Sequence, residues 1–486
     1  MSGHEIERVE LAPGLNISRV VTGLWQVADI ERRVGELELS LVAAAMRPYI
    51  QAGLTTFDAA DHYGSAELIV GEYRRPPGER SVEGLTKWVP KPGPLTREQV
   101  SRAVDLAASR LGAKALELLQ FHAWNYADPS YLDGLFFLDE LRAEGRIRNI
   151  GLTNCDAVHL EMLLASGLEI VSNQVCFSLL DRRAAGAMTT LCVERGVSLL
   201  AYGTLAGGLL TERFLDIAEP DVADLETWSL MKYRRFVETA GGWSRFQQVL
   251  RGLNDIACRL EISLANLATR YVLEQPAVAA VIVGARLGES EHIAETVGLF
   301  SFELGPTLIS EIDELLAHLD PIPGDCGDEY RRPPFLTASG DLSHHLDAFP
   351  APYRVEVDSN GRRRAFSGVP WEPMAGYCRA IREGRRIWVS GTTASHGDRL
   401  IGGDDPASQM QFVIDKIEGA LQSLGGRLED VVRTRVFVPR IEQWEAIART
   451  HGQRFRDVLP ANTMVQAALI GDEFLVEMEA EAVVQE

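Results

Sequence analysis

Residues 54–73 read LTTFDAADHYGSAELIVGEY. An apolar, β-branched run is followed by a compact polar turn and then by a stretch with helical spacing. The run has the character of a buried strand. Gly64, Ser65 and Glu67 mark the start of the next helix, where an acid suits the positive end of the helix dipole. This is one strand–turn–helix unit, and the unit recurs. Between about residues 17 and 300, eight strand-like runs alternate with helical segments: RVVTGLW (19–25), TTFDAA (55–60), VEGLTK (82–87), ELLQFHA (117–123), NIGLTN (149–154), IVSNQVC (170–176), VSLLAYG (197–203) and AAVIVGA (279–285).

The intervening helices carry their own signals. Thr96 and Gln99 form a capping-box pair ahead of an apolar stripe, and Gly112 stands at the expected stop. DAVHLEMLLASG (156–167) and LANLATRYVLEQP (264–276) behave alike. Eight such units predict an α/β fold, a closed (β/α)8 barrel. The rival doubly wound sheet lacks a strand–GxGxxG–helix fingerprint.

Residues 321–350 hold five prolines and no hydrophobic periodicity, and read as a linker. Beyond them the pattern is α+β. Strand-like RRIWVSGTT precedes an amphipathic helix from Ser408, then come VVRTRVFVP, the helical IEQWEAIARTHGQRF, TMVQAALI and FLVEMEAEAVV. The expected division is therefore a barrel over 1–320, a linker over 321–350 and a smaller domain over 351–486. A chain of 486 residues suits two cores.

A net charge of -21 argues against nucleic acid or an anionic membrane as partner. The six cysteines are scattered, without CxxC pairs or histidine clusters, which predicts free thiols and no metal. The N-terminal residues show no apolar leader segment, and no run approaches a membrane span, so the expected location is cytoplasmic.

In such a barrel the C-terminal strand ends share one rim. Asp58 and Tyr63 follow the second strand, Lys87 ends the third and His122 ends the fourth. A phenol titrating near ~10 is a poor acid at neutral pH. An adjacent ammonium lowers that pKa, a carboxylate holds the ammonium in place, and an imidazole orients a carbonyl oxygen beside the phenol.

At these residues the chain resembles the aldo-keto reductases: FDAADHYGSAELIVGE, TKW and LLQFHAW agree with that family's blocks in content, order and spacing. The likeness continues over about residues 15–315. It implies a catalytic tetrad of Asp58, Tyr63, Lys87 and His122, with Tyr63 as general acid/base. It implies a nicotinamide cofactor, NADP(H) in preference to NAD(H). Thr153, Asn154 and Gln174 would hold the carboxamide, and Tyr202 would stack on the ring. Gly284, Arg286, His292 and Glu295 belong to the segment receiving the adenosine end, with Arg286 paired to a 2′-phosphate. His292 stands where the family often has a further arginine, and Thr296 replaces a usual asparagine. Trp25, Trp88 and Trp124 are candidate walls of an apolar substrate pocket, and the insertion 211–247 a candidate lid.

The tail, through GYCRAIREGRRIWVSGTT and LPANTMVQAALIGDEFLVEMEAEAV, resembles the YjgF/Rid family over about residues 370–486. That resemblance implies a chorismate-mutase-like α+β fold, trimeric assembly, and a site including Tyr377, Asn462 and Glu477. Asn462 replaces the arginine that would bind a substrate carboxylate, which argues against ordinary imino-acid deamination. The expectation is an NADP-dependent oxidoreductase acting on a small-molecule carbonyl or alcohol, with the tail serving assembly or ligand binding. Two alternatives stand beside it: a bifunctional enzyme whose tail acts on a reactive imine or enamine, and a non-catalytic nicotinamide-binding regulator.

Overall fold

The computed structural model describes residues 5–28, 31, 37–76, 81–221, 224–337 and 349–485. The chain opens with an antiparallel hairpin, β1 (Arg8–Ala12) and β2 (Leu15–Ser18). Eight parallel strands then close a barrel: β3 (Val20–Gly23), β4 (Thr56–Asp58), β5 (Glu83–Trp88), β6 (Leu119–Phe121), β7 (Ile150–Thr153), β8 (Ile170–Cys176), β9 (Ser198–Tyr202) and β10 (Val278–Gly284). Closure pairs β10 with β3, Val281 opposite Val20 and Gly284 opposite Gly23. Each strand coincides with one of the eight apolar runs.

The strands are buried on both faces, which is why they read as apolar runs and not as alternations. The hairpin is absent from the sequence expectations. Its Leu11, Leu15 and Ile17 pack with Val21, Leu85, Leu118 and Leu200 into a core of their own. Thr96 caps the helix Arg97–Arg110 as expected: its hydroxyl accepts from the Gln99 amide while Gln99 Oε1 accepts from the Thr96 amide.

The expected linker behaves in two ways. Residues 338–348 lie outside the described residues. Residues 321–337 do not hang between domains; they return across the barrel rim. A short helix, Asp328–Arg331, places Glu329 at 1% exposure against Arg183, whose Nη2 is 2.8 Å from Glu329 Oε2. A proline-rich composition rules out regular ladders, but it does not rule out packing through the side chains between the prolines.

The second domain is a seven-stranded sheet in the spatial order Arg354–Val357, Arg363–Phe366, Ala380–Glu383, Arg386–Thr393, Glu477–Val483, Val431–Val438, Ala461–Gln466. Helices Pro406–Ser423 and Trp444–Arg454 accompany it. The first helix is buried along most of its length, because one side faces the sheet and the other packs on the barrel helix Ala157–Ala165. Gly419 permits this approach: a Cβ there would lie 2.2 Å from the Ala127 carbonyl oxygen.

Candidate active site

Asp58 ends β4, Lys87 is the penultimate residue of β5, and His122 follows β6. All three are at most 3% exposed. Lys87 Nζ donates to Asp58 Oδ2 at 2.6 Å and to the Ala59 carbonyl oxygen at 2.9 Å. It also lies 4.6 Å from the centroid of the Tyr63 ring. Burial pushes the Lys87 ammonium below its ordinary range, and the Asp58 carboxylate opposes that. The other Asp58 oxygen accepts from Gln174 Nε2 at 2.9 Å, so each oxygen of the carboxylate has a donor in the barrel interior.

His122 Nδ1 is 3.2 Å from the Thr153 carbonyl oxygen. A carbonyl only accepts, so Nδ1 carries the proton. Nε2 then takes a proton when the imidazole is neutral and gives one as imidazolium. Asp61 and His62, as prominent in the sequence as Asp58 and Tyr63, pair with each other, and His62 also lines the cavity beside Trp25 and Tyr63. Asp61 Oδ1 is 2.8 Å from His62 Nδ1, and Asp61 Oδ2 accepts from the Val89 amide at 3.3 Å.

The tetrad lines a cavity of about 930 Å³. Thr153, Asn154, Gln174, Tyr202, Gly284, Arg286, His292 and Glu295 line the same cavity. Near Tyr63 the wall is aromatic: Trp25 meets the Tyr63 ring edge-on at 4.9 Å and leans on Trp228 at 5.7 Å. Arg286 Nε donates to Gln26 Oε1 at 3.0 Å, with its side chain 23% exposed. His292 is more open, 70% exposed at its side chain and 3.5 Å from Glu295.

One expectation is revised, and expected cofactor residues also bond within the protein. Trp88 is not in the cavity wall; it packs in the core against Phe121 at 5.7 Å. Strand alternation is the reason, because Lys87 faces the barrel interior and its neighbour must face the helices. Gln174 lines the cavity, yet its amide nitrogen serves Asp58 and Gln120 Oε1, the latter at 3.0 Å. Tyr202 donates to Asn154 Oδ1 at 2.8 Å, so two expected cofactor contacts are tied to each other.

Several wall residues escaped the sequence reading. Trp228 and Lys232 lie four apart on the helix Trp228–Thr239, inside the expected lid, so both face the cavity. Tyr330, from the expected linker, accepts from Lys232 Nζ at 2.9 Å and sits 5.5 Å from the His122 ring. The helical spacing of Trp228 and Lys232 could have been noticed. Nothing local to Tyr330 could have placed it here.

In the second domain Tyr377 OH accepts from Arg379 Nη2 at 3.1 Å. Glu477 lies over Gly391, where a Cβ would stand 2.0 Å from Glu477 Oε1, and Arg379 Nη1 donates to the Gly391 carbonyl oxygen at 2.6 Å. Burial raises the Glu477 pKa, and Arg379 opposes the shift. Asn462 is not with them. It is exposed on the edge strand, donating to Thr434 Oγ1 at 2.9 Å, with Val431–Val438 between its strand and that of Glu477.

Among the described residues no cluster of side chains suits a metal ion, and no helix is long and apolar enough to cross a membrane. All six cysteines are free thiols.

Comparison with known proteins matches two stretches of the chain. The model of the aldo/keto reductase family matches residues 19–317, and that of the Endoribonuclease L-PSP family matches residues 369–484. The NADH-specific methylglyoxal reductase of Escherichia coli is 24% identical, over 62% of this chain and 96% of its own length. The solved glycerol dehydrogenase of Gluconobacter oxydans is 20% identical, with a TM-score of 0.52 over 67% of this chain and 98% of that one. A YjgF/YER057c/UK114-family protein of Mycobacterium tuberculosis is 41% identical, with a TM-score of 0.24, over 25% of this chain and 99% of that one.

Proposed function

The chain belongs to the aldo/keto reductase family, and from that premise we propose that its barrel interconverts a small carbonyl compound and an alcohol with Tyr63 as general acid/base. The observation that carries the reading is the buried Lys87–Asp58 pair at 2.6 Å with its ammonium 4.6 Å from the Tyr63 ring centre. An ammonium so placed favours the phenolate and makes the phenol a better proton donor. His122, with Nδ1 donating to Thr153, orients the carbonyl oxygen beside the phenol through Nε2–H when it is the imidazolium. In reduction Tyr63 gives its proton to the alkoxide oxygen; in oxidation it takes the proton back.

The residues present fit a nicotinamide dinucleotide. The tetrad and the Arg286 guanidinium line one cavity, whose wall beside Tyr63 is aromatic. When bound, that cofactor supplies or accepts the hydride at the carbonyl carbon. Thr153 and Asn154 border its carboxamide site, Tyr202 offers an aromatic face, and Arg286 pairs a 2′-phosphate, which favours NADP(H) over NAD(H). Trp25, Trp124 and Trp228 exclude water and favour an apolar or aromatic carbonyl substituent.

The barrel unit takes in residues 321–337, and the smaller domain serves assembly. Leu459, Val465 and Ile470, at 81%, 42% and 90% exposure, are exposed apolar side chains in and near the edge strand Ala461–Gln466, which supports a homo-oligomer, a trimer by family likeness. The deciding experiment is a panel of aldehydes and ketones with NADPH and with NADH, followed by absorbance. The reading fails if the purified protein binds neither cofactor and turns over no substrate.

A further inference from the structure

We propose that the second domain is a working part of the barrel's active rim. Through a buried ion pair between His159 and Asp415 it positions the turn after β7 and the segment 326–331.

The construction begins with the helix Ala157–Ala165. Its N-cap, Asp156, accepts from the His159 amide at 2.8 Å, and the same carboxylate lies 2.7 Å from His159 Nδ1. His159 Nε2 lies 3.0 Å from Asp415 Oδ2, on the helix Pro406–Ser423 of the other domain. A neutral imidazole has one N–H, so carboxylates on both nitrogens specify the imidazolium. Asp415 Oδ1 in turn accepts from Arg454 at 2.5 Å and from Gln411 at 3.1 Å. His159 and Asp415 are each 1% exposed at the side chain.

The cluster is joined to the cavity by a stack. The Tyr126 ring lies on the His159 ring at 3.5 Å and 12°. That covers one face of Tyr126, and the Arg331 guanidinium, 4.4 Å from its centroid, takes the other. Arg331 donates to the carbonyl oxygens of Asn154 at 2.5 Å, Ala123 at 3.0 Å and Cys326 at 3.1 Å. Gly327, at φ 80°, makes the approach possible: a Cβ there would stand 2.0 Å from the Asn154 oxygen. Asn154 holds Tyr202 from its side chain, and Tyr330, next to Arg331, lines the cavity. The sequence of contacts from Asp415 to His159, Tyr126, Arg331 and Asn154 therefore runs from the second domain to the candidate cofactor contacts. His159 and Arg331 are positioning residues in this arrangement and touch no reacting atom.

The charged and titratable groups around His159 are Asp156, Asp415, Tyr126, Tyr131 and Cys155, with Arg454, Arg331 and Asp325 beyond them. Burial opposes its charge, but Asp156 and Asp415 outweigh burial and hold its pKa above the ordinary histidine range. A raised folded-state pKa gives support that is complete below the unfolded value of ~6.5, persists above it, and is lost as pH rises through the folded value.

Amide hydrogen exchange on the full chain tests this without any cofactor. In the wild type, protection of residues 153–157 and 326–331 should fall about tenfold as pH rises through the His159 titration. In Asp415→Asn the same segments should be looser at neutral pH with the pH step moved lower, and in His159→Gln they should be loose with no pH step. Asp415→Asn keeps the test open if His159→Gln does not fold. A second arm rests on the proposed function: Asp415→Asn should raise the KM for NADPH about fivefold, with kcat changed less than about twofold. Absence of nicotinamide binding in the wild type would sink the proposed function, and the exchange arm would still decide the positioning role. Unaltered protection of 326–331 in both folded variants would overturn it.

Discussion

The barrel rim and the second domain were each expected to gather a site from separated residues, and only the barrel does so within one chain. Asp58, Lys87 and His122 come from three successive parallel strands, and closure obliges all eight strand ends to meet at one rim. The second domain is an open sheet with two edges. Tyr377 and Glu477 approach each other through Arg379, while Asn462 sits exposed on the outermost strand, which also carries the exposed Val465. A closed sheet converges by topology, whereas an open sheet converges only where a second surface meets its edge.

The sharpest way to break this contrast is Tyr63→Phe. If the rim is one catalytic unit, turnover should fall by about 10³-fold while NADPH affinity, read by protein fluorescence, stays within a few-fold. Asp58→Asn comes next. It leaves the Lys87 ammonium buried without its carboxylate, so urea denaturation should show a loss of about 3–5 kcal/mol together with most of the activity. A merely solvated lysine would lose well under 1 kcal/mol.

Arg286→Ala should raise the KM for NADPH by about tenfold and leave that for NADH nearly unchanged, the expected cost of one charge-assisted phosphate contact. Equal effects on both cofactors would remove Arg286 from that role. On the open sheet, Ile470→Asp should lower the oligomeric mass in sedimentation and leave the barrel's thermal transition in place. The smallest effect belongs to Trp88→Phe, which should alter aromatic-aldehyde selectivity less than about twofold; Trp25→Phe should alter it more, since Trp25 lines the cavity and Trp88 does not.

The eight apolar runs and the polar turn at 58–63 were legible because burial on both faces and strand-end chemistry are local properties. The apparent linker was not. Glu329, Tyr330 and Arg331 sit in a proline-flanked stretch with no periodicity, and their partners Arg183, Lys232 and Asn154 lie 98 to 177 residues away. Trp88 was misplaced for a different reason: adjacency to Lys87 suggested a shared pocket, but neighbours on a strand face opposite ways. His159 read as an ordinary helix residue, and only the docking of Pro406–Ser423 shows it held between two carboxylates.

The sequence by itself therefore determined the eight barrel strands, their closure and the meeting of Asp58, Tyr63, Lys87 and His122 at one rim, because hydrophobic period and strand-end position are written along the chain. Tertiary structure alone decided that residues 321–337 close the rim, that Lys232 and Tyr330 share the cavity with Tyr63, and that a histidine joins the two domains. Those are encounters between segments remote in sequence, and packing decides them where local pattern carries no record of the partner.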